Sequence, residues 1–294
     1  MRNRLLAIAV MTLGTCFGQS VDALLWEKLE QRVAALDRDL EGVLGVAVID
    51  LKTGKRWGYH ADTVFAQASL IKVPILIEVF RLKELGQLRF DAQVTIDPKI
   101  LVGGSGVLQN RLKNGPLTLP VEEIVREMIA SSDNTATNWL IQRVGMANVN
   151  KTMRELGFAE TRLQRIMIDS AAAVRNEENI STPNEMATIF ERIYRGNVLT
   201  PASREGMLAY LRMVGGGMKK GLPESVELAS KTGELEGVRT QTGIVYLKER
   251  PFVLSVMSAY LTEPNSPVEA VTRMVYQTMQ KIAQGNAYGN LGVR

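Results

Sequence analysis

The sequence predicts an α/β (α+β) protein, with one antiparallel sheet built from both chain ends and flanked by helices, and an all-helical domain inserted between the two halves of the sheet. Three observations predict it. Runs rich in β-branched residues, bounded by turn residues, occur only near the two ends of the chain. Between Ser69 and about Met213 the apolar residues instead recur every three or four positions, the period of a helix packed on a core. An amphipathic helix stands outside each group of strands, so the two strand groups complete one sheet only if the middle packs as a layer of its own. A chain of 294 residues is long enough for both parts to bury a core. The expected division is 1–20 as a signal peptide, 21–62 with 215–294 as the sheet domain, and 63–214 as the helical domain.

Taken in order, Leu25, Leu29, Val33 and Leu36 share one face and predict a helix over 22–40. Val43 to Leu51 and Arg56 to His60 read as a hairpin around Lys52-Thr53-Gly54-Lys55. A helix opening at Ser69 runs to Leu85, where Gly86 stops it. Helices follow over 121–130, 134–144 and 147–156. Two more begin at Pro183 and Pro201, since the missing N–H of proline has no partner in a first turn anyway. Strands return at 226–232, 237–247 and 252–260, and a closing helix spans 268–283.

Composition narrows the class of function. Arg2 and Arg4 precede the apolar run Leu5 to Leu13, which suits a secretory signal and is too short to span a bilayer. Export, to the periplasm or beyond, is the expectation. Once those arginines leave with the signal, little of the formal net charge of +4 remains, so no nucleic-acid partner is inferred. The only cysteine, Cys16, ends the same segment. Leu13-Gly14-Thr15-Cys16 reads either as a lipid-attachment box or as part of a removed signal, and Thr15 is bulkier than the residue expected before a lipidated cysteine. A membrane partner enters only through lipidation of Cys16. With one histidine, His60, and no Cys/His cluster, neither a metal site nor any other cofactor is expected, and the expected state is a monomer. Trp26, Trp57, Trp139 and His60 read as packing or strand-end residues.

The chemistry is carried by Ser69-Leu70-Ile71-Lys72, Ser132-Asp133-Asn134 and Lys231-Thr232-Gly233. Ser69 and Lys72 lie one turn apart on a helix start, where backbone N–H groups favour developing negative charge. A hydroxyl needs a base, and a buried lysine near another cation has the lowered pKa to serve. The apolar run Val73-Pro74-Ile75-Leu76-Ile77 argues that this helix is buried. Ser132 can relay a proton to a leaving group and Asn134 can hold a substrate amide, while Asp133 braces the turn. Lys231 and Thr232 offer a cation and a hydroxyl to a substrate carboxylate. Gly233, without a Cβ, would let a substrate backbone approach.

These motifs in this order resemble those of the class A β-lactamase family, within the superfamily of active-site-serine β-lactamases and penicillin-binding D,D-peptidases. Supporting stretches are Phe65-Ala66-Gln67-Ala68-Ser69, Gly103-Gly104-Ser105-Gly106-Val107-Leu108, Ser132 to Asn138 and Ser181-Thr182-Pro183, so the resemblance covers nearly the whole mature chain. It implies a β-lactamase/transpeptidase-like fold and no cofactor. Ser69 would be the acylated nucleophile, Lys72 its base, and Ser132, Asn134, Lys231 and Thr232 the rest of the pocket. The backbone N–H groups of Ser69 and Glu234 would form the oxyanion hole, and Arg239 would assist Lys231 with the carboxylate.

One stretch departs from the family. Its pattern calls for a Glu-x-x-Leu-Asn loop whose glutamate activates the deacylating water, and here the chain reads Ile166-Met167-Ile168-Asp169-Ser170-Ala171. Counting forward from Arg165 puts Met167 at the glutamate, and counting back from Pro183 puts Ile166 there. Asn179 also stands where the family has an aspartate paired with an arginine like Arg165, so the loop is expected to lack that ion pair. Asp169 is the candidate substitute base, with Glu177 and Glu178 behind it. Losing such a base costs about 10²–10⁴ in rate, so acylation is expected to be intact and deacylation slow. The expected function is β-lactam hydrolysis through an acyl-enzyme. The alternatives are a D-Ala-D-Ala carboxypeptidase acting on peptidoglycan stems and a non-turnover β-lactam-binding protein.

Overall fold

The computed structural model describes residues 20–262 and 266–291. The expected signal peptide, apart from Ser20, and Cys16 with its lipid question lie outside the described residues. Helix α1 (Val21–Asp39) leads into strands β1 (Val43–Asp50) and β2 (Arg56–Tyr59). The chain then passes through β3 (Phe65–Ala66), α2 (Lys72–Glu84), β4 (Gln93–Ile96), α3 (Leu108–Leu112) and β5 (Leu117–Pro120). Helices α4 (Val121–Ala130), α5 (Asn134–Val144), α6 (Met146–Glu155) and α7 (Ser170–Val174) follow, then β6 (Ile180–Ser181). Helices α8 (Pro183–Arg195), α9 (Pro201–Leu211) and α10 (Gly216–Lys220) precede strands β7 (Leu228–Leu235), β8 (Val238–Val245) and β9 (Phe252–Ala259), and α11 (Val268–Gln284) closes the fold.

The five long strands form one antiparallel sheet in the order β2-β1-β9-β8-β7, so the two chain ends meet where β1 pairs with β9. Residues 44–50 of β1 are all buried, because both faces of the sheet are covered. One face carries Leu44, Val46, Val48, Leu254 and Val256 against Trp26, Leu29 and Val33 of α1 and Val271, Val275 and Met279 of α11. The other carries Ala47, Ile49, Val253 and Met257 against the helical part, in a cluster with Ile75 and Val79 of α2, Trp139 and Leu140 of α5, and Ile189 and Phe190 of α8. Each cluster buries the apolar stripe of its helices, and this burial of side chains, each worth about 1.5–3 kcal/mol, holds the layers together.

The prolines behave as the sequence predicts. Pro183 and Pro201 follow Thr182 and Thr200, whose hydroxyls accept from the N–H groups of Glu185 and Ser203. Two features differ. Ser69 does not open an α-helix: it lies in a 3₁₀ turn, Ala68–Ile71, and the α-helix begins at Lys72. Two short ribbons, β4 with β5 and β3 with β6, appear where no strand is expected, since segments of two to four residues carry no readable alternation. The second ribbon matters here because it ties the chain just before Ser69 to the end of the 164–179 loop. No described helix is long and apolar enough to cross a membrane, and no group of potential metal ligands gathers among the described residues.

Candidate active site

The turn carrying Ser69 is held from three sides. Gln67 N–H donates to Asn179 O at 2.7 Å, its side-chain Nε2 donates to Ile180 O at 2.6 Å, and its carbonyl accepts from Thr240 Oγ1 at 3.0 Å. Ala68 is left-handed at φ 50, an uncommon conformation for a residue with a Cβ. This geometry corrects the expectation for Gly233. A Cβ there would lie 2.5 Å from Gln67 O and 3.0 Å from Ser69 N, so the missing side chain makes room for the Ser69 turn rather than for a substrate.

Lys72 is fully buried one turn along. Its Nζ lies 2.6 Å from Ser132 O, 3.0 Å from Ser132 Oγ and 3.0 Å from Asn134 Oδ1. Burial pushes its pKa well below the ordinary lysine range, Lys231 pushes it further, and Asp133 opposes both. Lys231, also fully buried, reaches the same hydroxyl: its Nζ donates to Ser132 Oγ at 3.1 Å and to Thr232 O at 3.0 Å. Burial brings its pKa down to about 7, against a partial upward pull from Glu234. Ser132 thus bridges two lysines. Both ammonium-bearing side chains lie within hydrogen-bond distance of one hydroxyl, whose oxygen accepts from Lys72 Nζ and from Lys231 Nζ.

Ser132 reaches that place because it is itself left-handed, at φ 55, between α4 and α5. Asp133 fixes the turn: Oδ2 accepts from Val107 N and Leu108 N at 2.7 Å each, and Oδ1 caps α5 through Ala136 N at 2.8 Å. Asn134 Nδ2 donates to Gly103 O at 3.1 Å. Thr232 sits half-buried beside Lys231 on β7, and Glu234, exposed, stands on the wall of a cleft of about 290 Å³ that starts at Ser69.

Arg239 Nη1 donates to Leu235 O at 2.7 Å and Val238 O at 2.8 Å, bonds that brace the β7–β8 hairpin.

The opposite wall of the cleft is the 164–179 loop. Met167 is buried and lines the cleft, while Ile166 is exposed and does not. Asn138 on α5 clamps Met167 from both sides, Oδ1 accepting from Met167 N at 2.8 Å and Nδ2 donating to Met167 O at 3.1 Å. Asp169 borders the cleft, but its Oδ1 accepts from Ala172 N at 3.0 Å and caps α7. Glu177 is paired with Arg175 on the surface.

The loop also has the ion pair that the sequence denies it, from a neighbouring position: Arg165 pairs with Glu178. Asn179 works through its amide. Oδ1 accepts from Gln164 N at 2.7 Å and Arg165 N at 3.0 Å, and Nδ2 donates to Arg165 O at 3.1 Å. Sequence reading misses the clamp made by Asn138, the ion pair made by Glu178 and this role of Asn179. The available signal is chemical: an asparagine amide can both donate to and accept from a neighbouring backbone, which an aspartate cannot.

Comparison with known proteins agrees with this architecture. Residues 28–282 match the model of the beta-lactamase enzyme family. Beta-lactamase ROB-1 of Haemophilus influenzae is 28% identical over 262 residues, covering 85% of this chain and 84% of that one. A solved beta-lactamase from Sphaerobacter thermophilus is 28% identical with a TM-score of 0.79, covering 87% of this chain and 98% of that chain. A mutant of PBP-A, solved as an acyl-enzyme complex with penicillin G, is equally similar, at 28% identity and a TM-score of 0.79 over 88% of this chain and 97% of its own. With the family model spanning both halves of the sheet and the helical part between them, this chain belongs to the beta-lactamase enzyme family, in its class A group.

Proposed function

We propose that the protein is an active-site-serine hydrolase acylated by β-lactams at Ser69, with a working acylation half-reaction and a slow deacylation step. The observation that carries the reading is Ser132 held between two buried lysines of lowered pKa, one helical turn from Ser69. In this reading Lys72, neutral through burial and the nearby Lys231, takes the Ser69 proton as Oγ attacks the lactam carbonyl. Ser132 then passes a proton to the departing lactam nitrogen and is resupplied by Lys72. Lys231 and Thr232 hold the substrate carboxylate, Asn134 its amide, and the N–H groups of Ser69 and Glu234 the oxyanion. Export, with Cys16 removed in the signal, belongs to the same proposal.

Hydrolysis of the acyl-enzyme needs a base for water, and Met167 holds the place from which the loop would supply one. Among the described residues Asp169 is the loop carboxylate on the cleft wall that is not in an ion pair, with one oxygen committed to capping. We assign it the residual base activity. The same feature favours a second reading, acylation and slow release of D-Ala-D-Ala peptidoglycan stems, and the likeness to PBP-A, solved as an acyl-enzyme with penicillin G, supports the acylation that both readings share.

The test is intact-mass spectrometry during reaction with benzylpenicillin. The expected result is a lasting adduct of the whole penicillin, absent in Ser69→Ala, where loss of the nucleophile removes acylation altogether. No adduct on the wild-type protein, together with no hydrolysis, would sink the proposal. Rapid hydrolysis with only a transient adduct would refute the slow step.

A further inference from the structure

We infer that Ile168 is a specificity-determining residue, a strained apolar latch that closes the loop end of the cleft against Gly104 and limits the size of the acyl group accepted. The inference rests on the acylation proposed above. Of the described non-glycine residues with positive φ, Ile168 (φ 63) is the one that is β-branched, and left-handed backbone presses such a side chain against its own carbonyl. The strain is imposed from both sides: Asn138 clamps both backbone groups of Met167, and Asp169 is tied to the start of α7. Between two fixed points the chain turns at residue 168, which is how an unfavourable conformation persists in a folded protein.

Core packing gives no reason for isoleucine at this turn, because the residue is 51% exposed. What its side chain meets is the far wall. A Cβ built on Gly104 would lie 3.3 Å from Ile168 Cδ1 and 2.8 Å from Asn134 Nδ2. Gly104, at φ +80, therefore leaves the space that Ile168 reaches across, and both residues line the cleft that begins at Ser69. A flat, narrow acyl substituent passes beside this bridge, and a long branched one collides with it.

The experiment measures second-order acylation constants for benzylpenicillin and for piperacillin, whose acyl group is long and branched, by intact mass on the full mature chain. Wild type, Ile168→Gly and Ile168→Ala are compared, each with its thermal midpoint. Glycine removes both bulk and strain, whereas alanine removes bulk and keeps a Cβ at positive φ. The expected result is a rise of about tenfold or more in the piperacillin-to-benzylpenicillin ratio in both variants, within the range one pocket contact can discriminate. The midpoint of Ile168→Gly should lie above that of Ile168→Ala and of the wild type. An unchanged ratio, or a lower midpoint for Ile168→Gly than for the wild type, would overturn the latch while adducts still form. A wild type labelled by neither penicillin would instead overturn the acylation reading, and the latch with it.

Discussion

The two walls of the cleft are built on opposite principles. The wall formed by α2, the α4–α5 turn and β7 is polar and buried: Lys72 and Lys231 share the hydroxyl of Ser132. The wall formed by the 164–179 loop is braced by amides and an ion pair, and it presents Met167 and Ile168 to the cleft beside polar groups, Arg165, Asp169, Glu178 and Asn179, that are already engaged within the loop. One wall gathers its polar groups around a single hydroxyl, the other spends its polar groups on holding its own backbone in place. On the function proposed above, a site so divided serves the first half of an acyl-transfer cycle better than the second.

The comparison is broken most directly by giving the loop a base. In Met167→Glu the Asn138 clamp, which binds only backbone, stays in place, so the new carboxylate starts from the position that Met167 now occupies at the cleft. Deacylation of a benzylpenicillin adduct should speed up by about 10²–10⁴, the usual contribution of a positioned general base, with acylation changed far less. Time-resolved intact mass reads both steps. An adduct as long-lived as in the wild type would show that the loop wall lacks more than a proton acceptor.

The amide scaffold can be tested without touching the polar wall. Asn138→Leu leaves the N–H and carbonyl of buried Met167 unpaired, at about 1–3 kcal/mol for each group, so chemical denaturation should show a loss of about 2–6 kcal/mol. If the loop is merely draped on the surface, the loss stays under about 0.5 kcal/mol, the range for surface substitutions.

The two walls also differ in how much of them the sequence discloses. That Lys72, Ser132 and Lys231 come together is legible because each stands in a short motif, and the motifs keep a fixed order along the chain. The long strands and helices are legible because their periods extend over many residues. The loop is not: its ion pair moved by one position, from residue 179 to Glu178, and its clamps bind backbone, which leaves no pattern of partner side chains to read. Gly233 shows a further limit. Its type is explained by close approach, as expected, but only the fold reveals that the approaching backbone is Gln67 rather than a ligand.

The smallest effect is the one that separates the two lysines within the polar wall. The second-order acylation constant reports the free enzyme, in which Lys72 must be neutral to accept a proton and Lys231 charged to attract a carboxylate. Burial and the nearby Lys231 hold Lys72 well below the lysine range, so it reaches its neutral form at a lower pH than an exposed lysine would. Lys231 loses its proton at about 7, so the constant should fall by up to tenfold per pH unit above that value. In Lys231→Arg the guanidinium stays charged at every accessible pH, and the alkaline limb should vanish even if the absolute rate drops. An alkaline limb that survives the substitution would reassign it to Lys72 or Ser132. The cation facing the substrate would then be permanent, and the burial that lowers both lysines would serve the proton relay alone.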